Sequence, residues 1–170
     1  MESVKEDVLA ALDGLGIAYD LLEHEPVHTM EDCKAAEKAL GGVMPKNLFL
    51  TPRNHASHHL LIARAEAPFR TALISRQLGV SRLSFATSGE LMDMLRTLPG
   101  AISPLGLLFD GERKVRLAID RTLRGEERLL FHPCVNTATL ALSGKDFFER
   151  LLPSLQHEAV YVDMQEEDNA

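Results

Sequence analysis

With 170 residues, 45% of them hydrophobic, and a formal net charge of −7, the chain is long enough to bury a self-sufficient core and is not a uniformly basic nucleic-acid binder. Its two cysteines, Cys33 and Cys134, belong to no CxxC or Cys/His cluster, which excludes a disulfide framework and fits a reducing, cytoplasmic setting. The opening MESVKEDVLAALDG is acidic and lacks the start of a signal peptide, and no apolar run approaches the ~18 residues of a membrane span, so no membrane partner is expected.

Val4, Val8, Leu12 and Leu15 recur at helical spacing and Gly14 and Gly16 supply a stop, which predicts an opening helix. Ile17, Tyr19 and Leu21 alternate like a strand. Thr29 with Asp32 three residues on reads as a capping box for a short helix ending at Gly41-Gly42. Residues 46–51 and 59–64 read as two strands joined by a Pro52-Arg-Asn54 turn. Phe69 to Leu78 reads as a helix closed by Gly79, and a strand is expected around 82–85. Thr87 and Glu90 form a second capping pair before Leu91–Leu95. Strands are expected at 105–109, 115–119, 129–131 and 137–142, with an Asp110-Gly111 turn, and Ser143 caps a last helix through Leu152. Helices and strands alternate with several hairpins, so the fold class is mixed α/β rather than a purely parallel sheet. A single domain is expected over 1–164, followed by an acidic tail, 165–170.

Charge is unevenly spread. Residues 1–44 carry 3 basic and 10 acidic groups, residues 45–130 carry 13 and 8, and residues 131–170 carry 2 and 7. The middle is therefore basic and rich in arginine, the side chain suited to bidentate phosphate contacts, and Arg76 and Arg82 are taken as candidates for such contacts.

The chain has no GxSxG elbow, P-loop, GxGxxG or HExxH. His55, His58 and His59 come nearest to a metal pattern, but on a strand His58 and His59 point to opposite faces, so the cluster is read as a polar turn and no metal is expected. Cys134 follows His132 by two residues and is read as a small core residue. Pro99-Gly100-Ala-Ile-Ser103-Pro104 shapes a bend whose backbone N–H groups are candidates for holding a ligand. Lys46, at the mouth of an apolar strand, sets an ammonium where a phosphate or carboxylate can reach it.

Lys46-Asn-Leu-Phe-Leu, the GxxxP motif Gly100–Pro104 and Phe131-His-Pro-Cys-Val-Asn-Thr-Ala-Thr, in this order, resemble the YbaK/prolyl-tRNA editing family, and most of all its ProX- or PrdX-like stand-alone members, which deacylate alanyl-tRNA of proline. The resemblance spans residues 4 to about 155. It implies a mixed sheet curled toward a partial barrel and surrounded by helices, a trans-editing aminoacyl-tRNA deacylase acting on alanyl-tRNA(Pro), and no cofactor. It implies that Lys46 holds the phosphate or terminal adenosine of the tRNA and that the backbone at Gly100 orients the ester carbonyl or the attacking water. It makes Asn47, Ser103, Pro104 and His132 substrate-binding, with His132 lining the amino-acid pocket. The partners implied are the acceptor end of tRNA and prolyl-tRNA synthetase. A non-catalytic tRNA- or synthetase-binding module, and a cysteinyl-tRNA deacylase of the same fold, are the competing readings.

Overall fold

The structure, a computed structural model, describes residues 2–26 and 29–165. The expected acidic tail falls, beyond residue 165, outside the described residues. Helix α1 (Glu2–Gly14) buries Val4, Val8 and Leu12, the i, i+4 stripe seen in the sequence. Strand β1 (Asp20–Glu23) begins later than the alternation suggests, because Gly16, at φ 69, turns the chain before Ile17 packs into the core. Helix α2 (Met30–Leu40) starts on the expected capping box, with the Thr29 hydroxyl accepting from the Asp32 N–H and the Asp32 carboxylate accepting from the Thr29 N–H.

Strands β2 (Lys46–Pro52) and β3 (His58–Ala63) form the expected antiparallel hairpin, with Lys46 opposite Ala63 and Leu50 opposite His59. Helix α3 (Thr71–Leu78) ends at Gly79 in the left-handed region. Strand β4 (Leu83–Phe85) adds to β2, and helix α4 (Ser88–Leu95) carries the second capping box, Thr87 with Glu90.

The expected strand at 105–109 is instead a 3-10 segment, Pro104–Phe109. Pro104 has no N–H to give a ladder, the Ser103 hydroxyl caps the turn by accepting from the Leu105 N–H, and Gly106 lies so close to α4 that a Cβ there would sit 2.7 Å from the Leu95 carbonyl oxygen. Its continuous hydrophobicity reflects burial between elements, which an apolar run shares with a core strand.

Strands β5 (Val115–Asp120), β6 (Arg128–Phe131) and β7 (Ala138–Ser143) follow. Ser143 caps a helical run made of α5 (Gly144–Asp146), a π-turn (Phe147–Leu151) and α6 (Leu152–Leu155). Pro153, lacking an N–H, enters where the regular bonding pattern has just widened. A final strand, β8 (Ala159–Val162), closes the described chain.

The strands form a three-stranded sheet, β1-β7-β6, and a five-stranded sheet, β4-β2-β3-β5-β8, in which β3–β5 and β5–β8 are parallel and the rest antiparallel. The fold is mixed α/β. Among the described residues the ladders do not close into a barrel; a bridge between Val43 and Leu129 joins the approach to β2 with β6. The largest core lies between the sheets and under α1 and α4, and a second core packs α3 on the other face of the five-stranded sheet. The start of β2, the end of β6 and the bend after α4 thereby meet.

Candidate active site

At that meeting point lies a cleft of about 350 Å³ whose walls include Lys46, Asn47, Gly100 and His132. These four sequence candidates come from segments separated by as many as 86 residues and are brought together by the junction of the two sheets. Helix α2 contributes Cys33, Lys34 and Glu37, and Glu66 enters from the chain after β3; none of these four was taken as a site residue from the sequence, because a helix face and a loop carry no local signal of a distant partner.

Lys46 is half-buried and donates a short hydrogen bond from Nζ to the Ala67 carbonyl. An ammonium has three donors, so this bond fixes its position and leaves others for an anion. Asn47 presents a different feature: its Oδ1 is buried without a hydrogen-bond partner. A buried orphan acceptor costs about 1–3 kcal/mol, which a ligand N–H or O–H would recover.

His132 has a fixed tautomer. Its Nδ1 lies 2.9 Å from the Ala138 carbonyl oxygen, which only accepts, so Nδ1 carries the proton and Nε2 keeps the lone pair. Burial pushes the ring's pKa down, against the Ala138 hydrogen bond and with the nearby His24, which keeps the imidazole neutral at pH 7. His24 was not identified in the sequence. Its Nδ1 donates to the Glu25 carbonyl at 2.7 Å, so its Nε2 accepts from the Thr139 hydroxyl at 2.8 Å, and Thr139 Oγ1 lies 3.5 Å from His132 Nδ1. The network backs His132 with a hydroxyl and a second ring across 115 residues of sequence, from Thr139 to His24.

Gly100 is exposed between two cavities. A Cβ added there would have Asn136 Nδ2 as its nearest neighbour, at 3.8 Å, so the fold tolerates a side chain. The second cavity, of about 310 Å³, is lined on that side by Leu98, Cys134, Val135 and Asn136. It lacks Lys46, Asn47 and His132, and its cation, Lys5, is held by Glu23 at 2.9 Å, so the groups able to hold and polarise an ester converge on the first. Cys134 is fully buried and its thiol is pushed up to about 12 by burial, which makes it a core residue.

Ser103 and Pro104 do not reach the walls of either cavity. Both are buried, and the Ser103 hydroxyl accepts from the Leu105 N–H, so they shape the Gly100 bend from behind it. Arg76 and Arg82 are exposed and share a shallow groove with Arg70, lined also by residues of α3. Several arginines of the basic middle form ion pairs: Arg64 with Glu126, Arg121 with Asp163, Arg128 with Asp20 and Arg96 with Asp7.

The histidine cluster at the hairpin divides as strand geometry requires. His59 is buried, with Ser57 Oγ 2.9 Å from its Nε2, whereas His58 lies on the opposite face. There His55 and His58 meet Glu90 of α4: His55 Nδ1 is 2.6 Å and His58 Nε2 2.9 Å from the same carboxylate oxygen. The polar turn is thus a His–Glu–His cluster whose third member the sequence pattern did not reveal.

A family model for the aminoacyl-tRNA editing domain matches residues 24–149. The chain is 34% identical over 142 residues to the prolyl-tRNA editing protein ProX of Acetoanaerobium sticklandii, covering 84% of this chain and 87% of that protein. It is 32% identical over 159 residues to the prolyl-tRNA synthetase associated domain-containing protein 1 of Danio rerio, covering 92% and 85%. A solved structure described as a proposed trans-editing enzyme for prolyl tRNA synthetase superposes with a TM-score of 0.72 at 17% identity, covering 94% of this chain and 96% of that one, which shows a shared fold. On the family match and these identities, the chain belongs to the aminoacyl-tRNA editing domain family.

Proposed function

We propose that this protein is a trans-editing deacylase that hydrolyses the ester linking a wrong amino acid to tRNA, with alanyl-tRNA(Pro) as substrate. The observation that carries the reading is the convergence of Lys46, Asn47, Gly100 and His132 on one cleft. An aminoacyl ester is already activated, so its hydrolysis needs a held substrate, a positioned water and stabilisation of the developing oxyanion more than a strong nucleophile. Lys46 binds the anionic end of the tRNA. Asn47 accepts a hydrogen bond from the substrate's amine or ribose hydroxyl. The backbone at Gly100 orients the carbonyl or the water, and neutral His132 walls the side-chain pocket with a lone pair at Nε2. No cofactor enters the chemistry, a substrate ribose hydroxyl assisting the water. Ser103 and Pro104 act by holding the bend.

The arginine groove begins at Arg70, three residues past the Ala67 carbonyl that anchors Lys46. That continuity supports an acceptor stem lying along Arg70, Arg76 and Arg82 with its end in the cleft. The Val43–Leu129 bridge supports reading the two sheets as one surface curled toward a partial barrel around the site. Residues 1–164 are read as a single domain, working in the cytoplasm beside prolyl-tRNA synthetase; no helix among the described residues is long and apolar enough to cross a membrane.

The biological need follows from size. A synthetase pocket built for proline cannot exclude smaller alanine, since each lost methylene is worth only about 1–3 kcal/mol, and a second, smaller pocket completes the sieve. Parallel deacylation assays test the reading with alanyl-, cysteinyl- and prolyl-tRNA(Pro). Faster release of alanine supports it, preferential release of cysteine transfers it to the other substrate, and binding without hydrolysis replaces it with the recognition-module reading.

A further inference from the structure

The His55–His58–Glu90 cluster is remote from the cleft. Lys46 begins β2 and His58 begins β3, opposite ends of one antiparallel hairpin, and the five steps from Lys46 to Thr51 span about 16 Å. The cluster is built from two elements. His55 belongs to the β2–β3 turn, where its φ of 54 places it in the left-handed region, and His58 stacks on the Phe49 ring at 5.6 Å. Glu90 stands in the first turn of α4, its Oε2 accepting from the Thr87 N–H at 2.7 Å, which leaves Oε1 for the two rings.

The three ligand atoms, His55 Nδ1, His58 Nε2 and a Glu90 oxygen, lie within 4.8 Å of one another. Two imidazoles and one carboxylate form a donor set suited to Zn²⁺, and bonds of about 2.0–2.2 Å in tetrahedral geometry would set such atoms about 3.4 Å apart. The contacts at 2.6 and 2.9 Å therefore need to open by less than about 1 Å for an ion to enter. The Thr87 N–H holds the Glu90 carboxylate through Oε2 with Oε1 already turned to both rings, so the oxygen ligand is pre-placed. His55 is half exposed at its side chain, which gives an ion access and room for water as a fourth ligand.

We propose that His55, His58 and Glu90 form a transition-metal site of the zinc class that clips the β2–β3 turn to the N-terminus of α4. The ion ties two elements of the fold together. It stands apart from the hydrolytic cleft, so metal removal lowers stability without abolishing deacylation.

Titration of the tag-free, metal-free protein with ZnCl2 by calorimetry tests this, together with Co²⁺ as a visible-absorbing substitute. One ion per chain is expected, and saturation at about a hundredfold over Kd should raise the Tm by roughly 5–10 °C. His55→Ala, at an exposed position, should abolish the tight event and the Co²⁺ d–d bands. Glu90→Gln should weaken binding at least tenfold while keeping the helix cap, because a glutamine oxygen still accepts from the Thr87 N–H. Circular dichroism confirms that both variants are folded. Absence of a 1:1 event in the wild type overturns the proposal, as does binding that persists unchanged in both variants, which would move the ion to other histidines.

Discussion

Replacing Lys46 by alanine separates an anchoring cation from a merely structural one. Among the described residues this side chain has one intramolecular bond, to the Ala67 carbonyl, in a half-buried position. Water replaces that donor at the cleft edge, so the stability cost is about 1 kcal/mol, or roughly 2–4 °C in Tm for a chain of this size. The functional cost is larger if the ammonium also holds an anionic group of the tRNA end. A charge-assisted hydrogen bond contributes about 1.5–3 kcal/mol, and at 1.36 kcal/mol per tenfold its loss lowers kcat/KM by about 10- to 150-fold. The loss should be similar for every aminoacyl group, because the contact is to the tRNA and not to the side chain being edited. Lys46→Arg should restore only part of the rate, since a planar fork does not reproduce a compact ammonium that must also satisfy Ala67. The assay is single-turnover deacylation under excess enzyme, with Tm measured on the same preparations. A Lys46→Ala rate within twofold of wild type, with the protein folded, refutes the anchoring role and leaves Lys46 as a tie between β2 and the segment before α3.

His132→Ala should change the order of preference among alanine, serine and larger aminoacyl groups in the same assay; equal slowing of all would make the ring a proton-transfer residue instead. Neutralising Arg76 and Arg82 together should reduce the slope of log K against log salt for tRNA binding by about 1.4–1.8, and an unchanged slope removes them from the interface. His59 has its pKa lowered to about 4 by burial, then by the charge of Arg116 and by His58. The unfolded chain therefore binds more protons between pH 6.5 and about 4, and stability present at neutral pH falls as pH drops through that window, by at most about 3 kcal/mol from this residue. Urea unfolding across that range should show a shallower fall in His59→Gln, and identical slopes would refute the assignment. Gly106→Ala, whose Cβ would meet the Leu95 backbone at 2.7 Å, should cost about 1–3 kcal/mol, whereas Gly100→Ala should leave Tm unchanged and alter only activity; equal Tm values for the two would contradict the packing.

Local chemistry was the most readable part of the sequence. The capping boxes at Thr29 and Thr87, the αL closure at Gly79 and the β2–β3 hairpin depend on residues a few positions apart, and the structure reproduces them. The 105–109 segment misled because burial between two elements and burial in a sheet give the same apolar run. Strand β8 was missed: Ala159–Val162 is four residues at the edge of the sheet, with Val160 half exposed, and its pairing is parallel to a strand some 40 residues earlier. In the cleft, Lys46 and the Gly100 bend stood out locally, whereas Asn47 and His132 were singled out only through the resemblance, since nothing in the spacing of the four forces them together. His24 and Glu90 escaped because each has a sufficient local reading, a loop residue and a helix cap, while their decisive partners lie 115 and at least 32 residues away.

The β2–β3 hairpin explains why both clusters divide as they do. Its two faces pack on different cores, Phe49, Leu60 and Ile62 on the larger and Leu48, Leu50, Leu61 and Ala63 on the smaller. Side chains alternate along a strand, so the neighbours Lys46 and Asn47 must part company. Asn47 shares the parity of Phe49 and turns toward the larger core, where its amide oxygen is buried without a partner. Lys46 shares the parity of Leu48 and Leu50 and turns toward α3, where it meets Ala67 ahead of the arginine groove. The same rule sends His58 with Leu60 and Ile62 onto Phe49 and Glu90, and His59 with Leu61 into the interior. A slip of one residue in the register would exchange every one of these positions at once, burying an ammonium and exposing two core faces. The double burial that fixes the register is therefore also what holds the Lys46 ammonium and the Asn47 amide on opposite sides of one strand end, the arrangement on which the proposed contacts to an acceptor terminus rest.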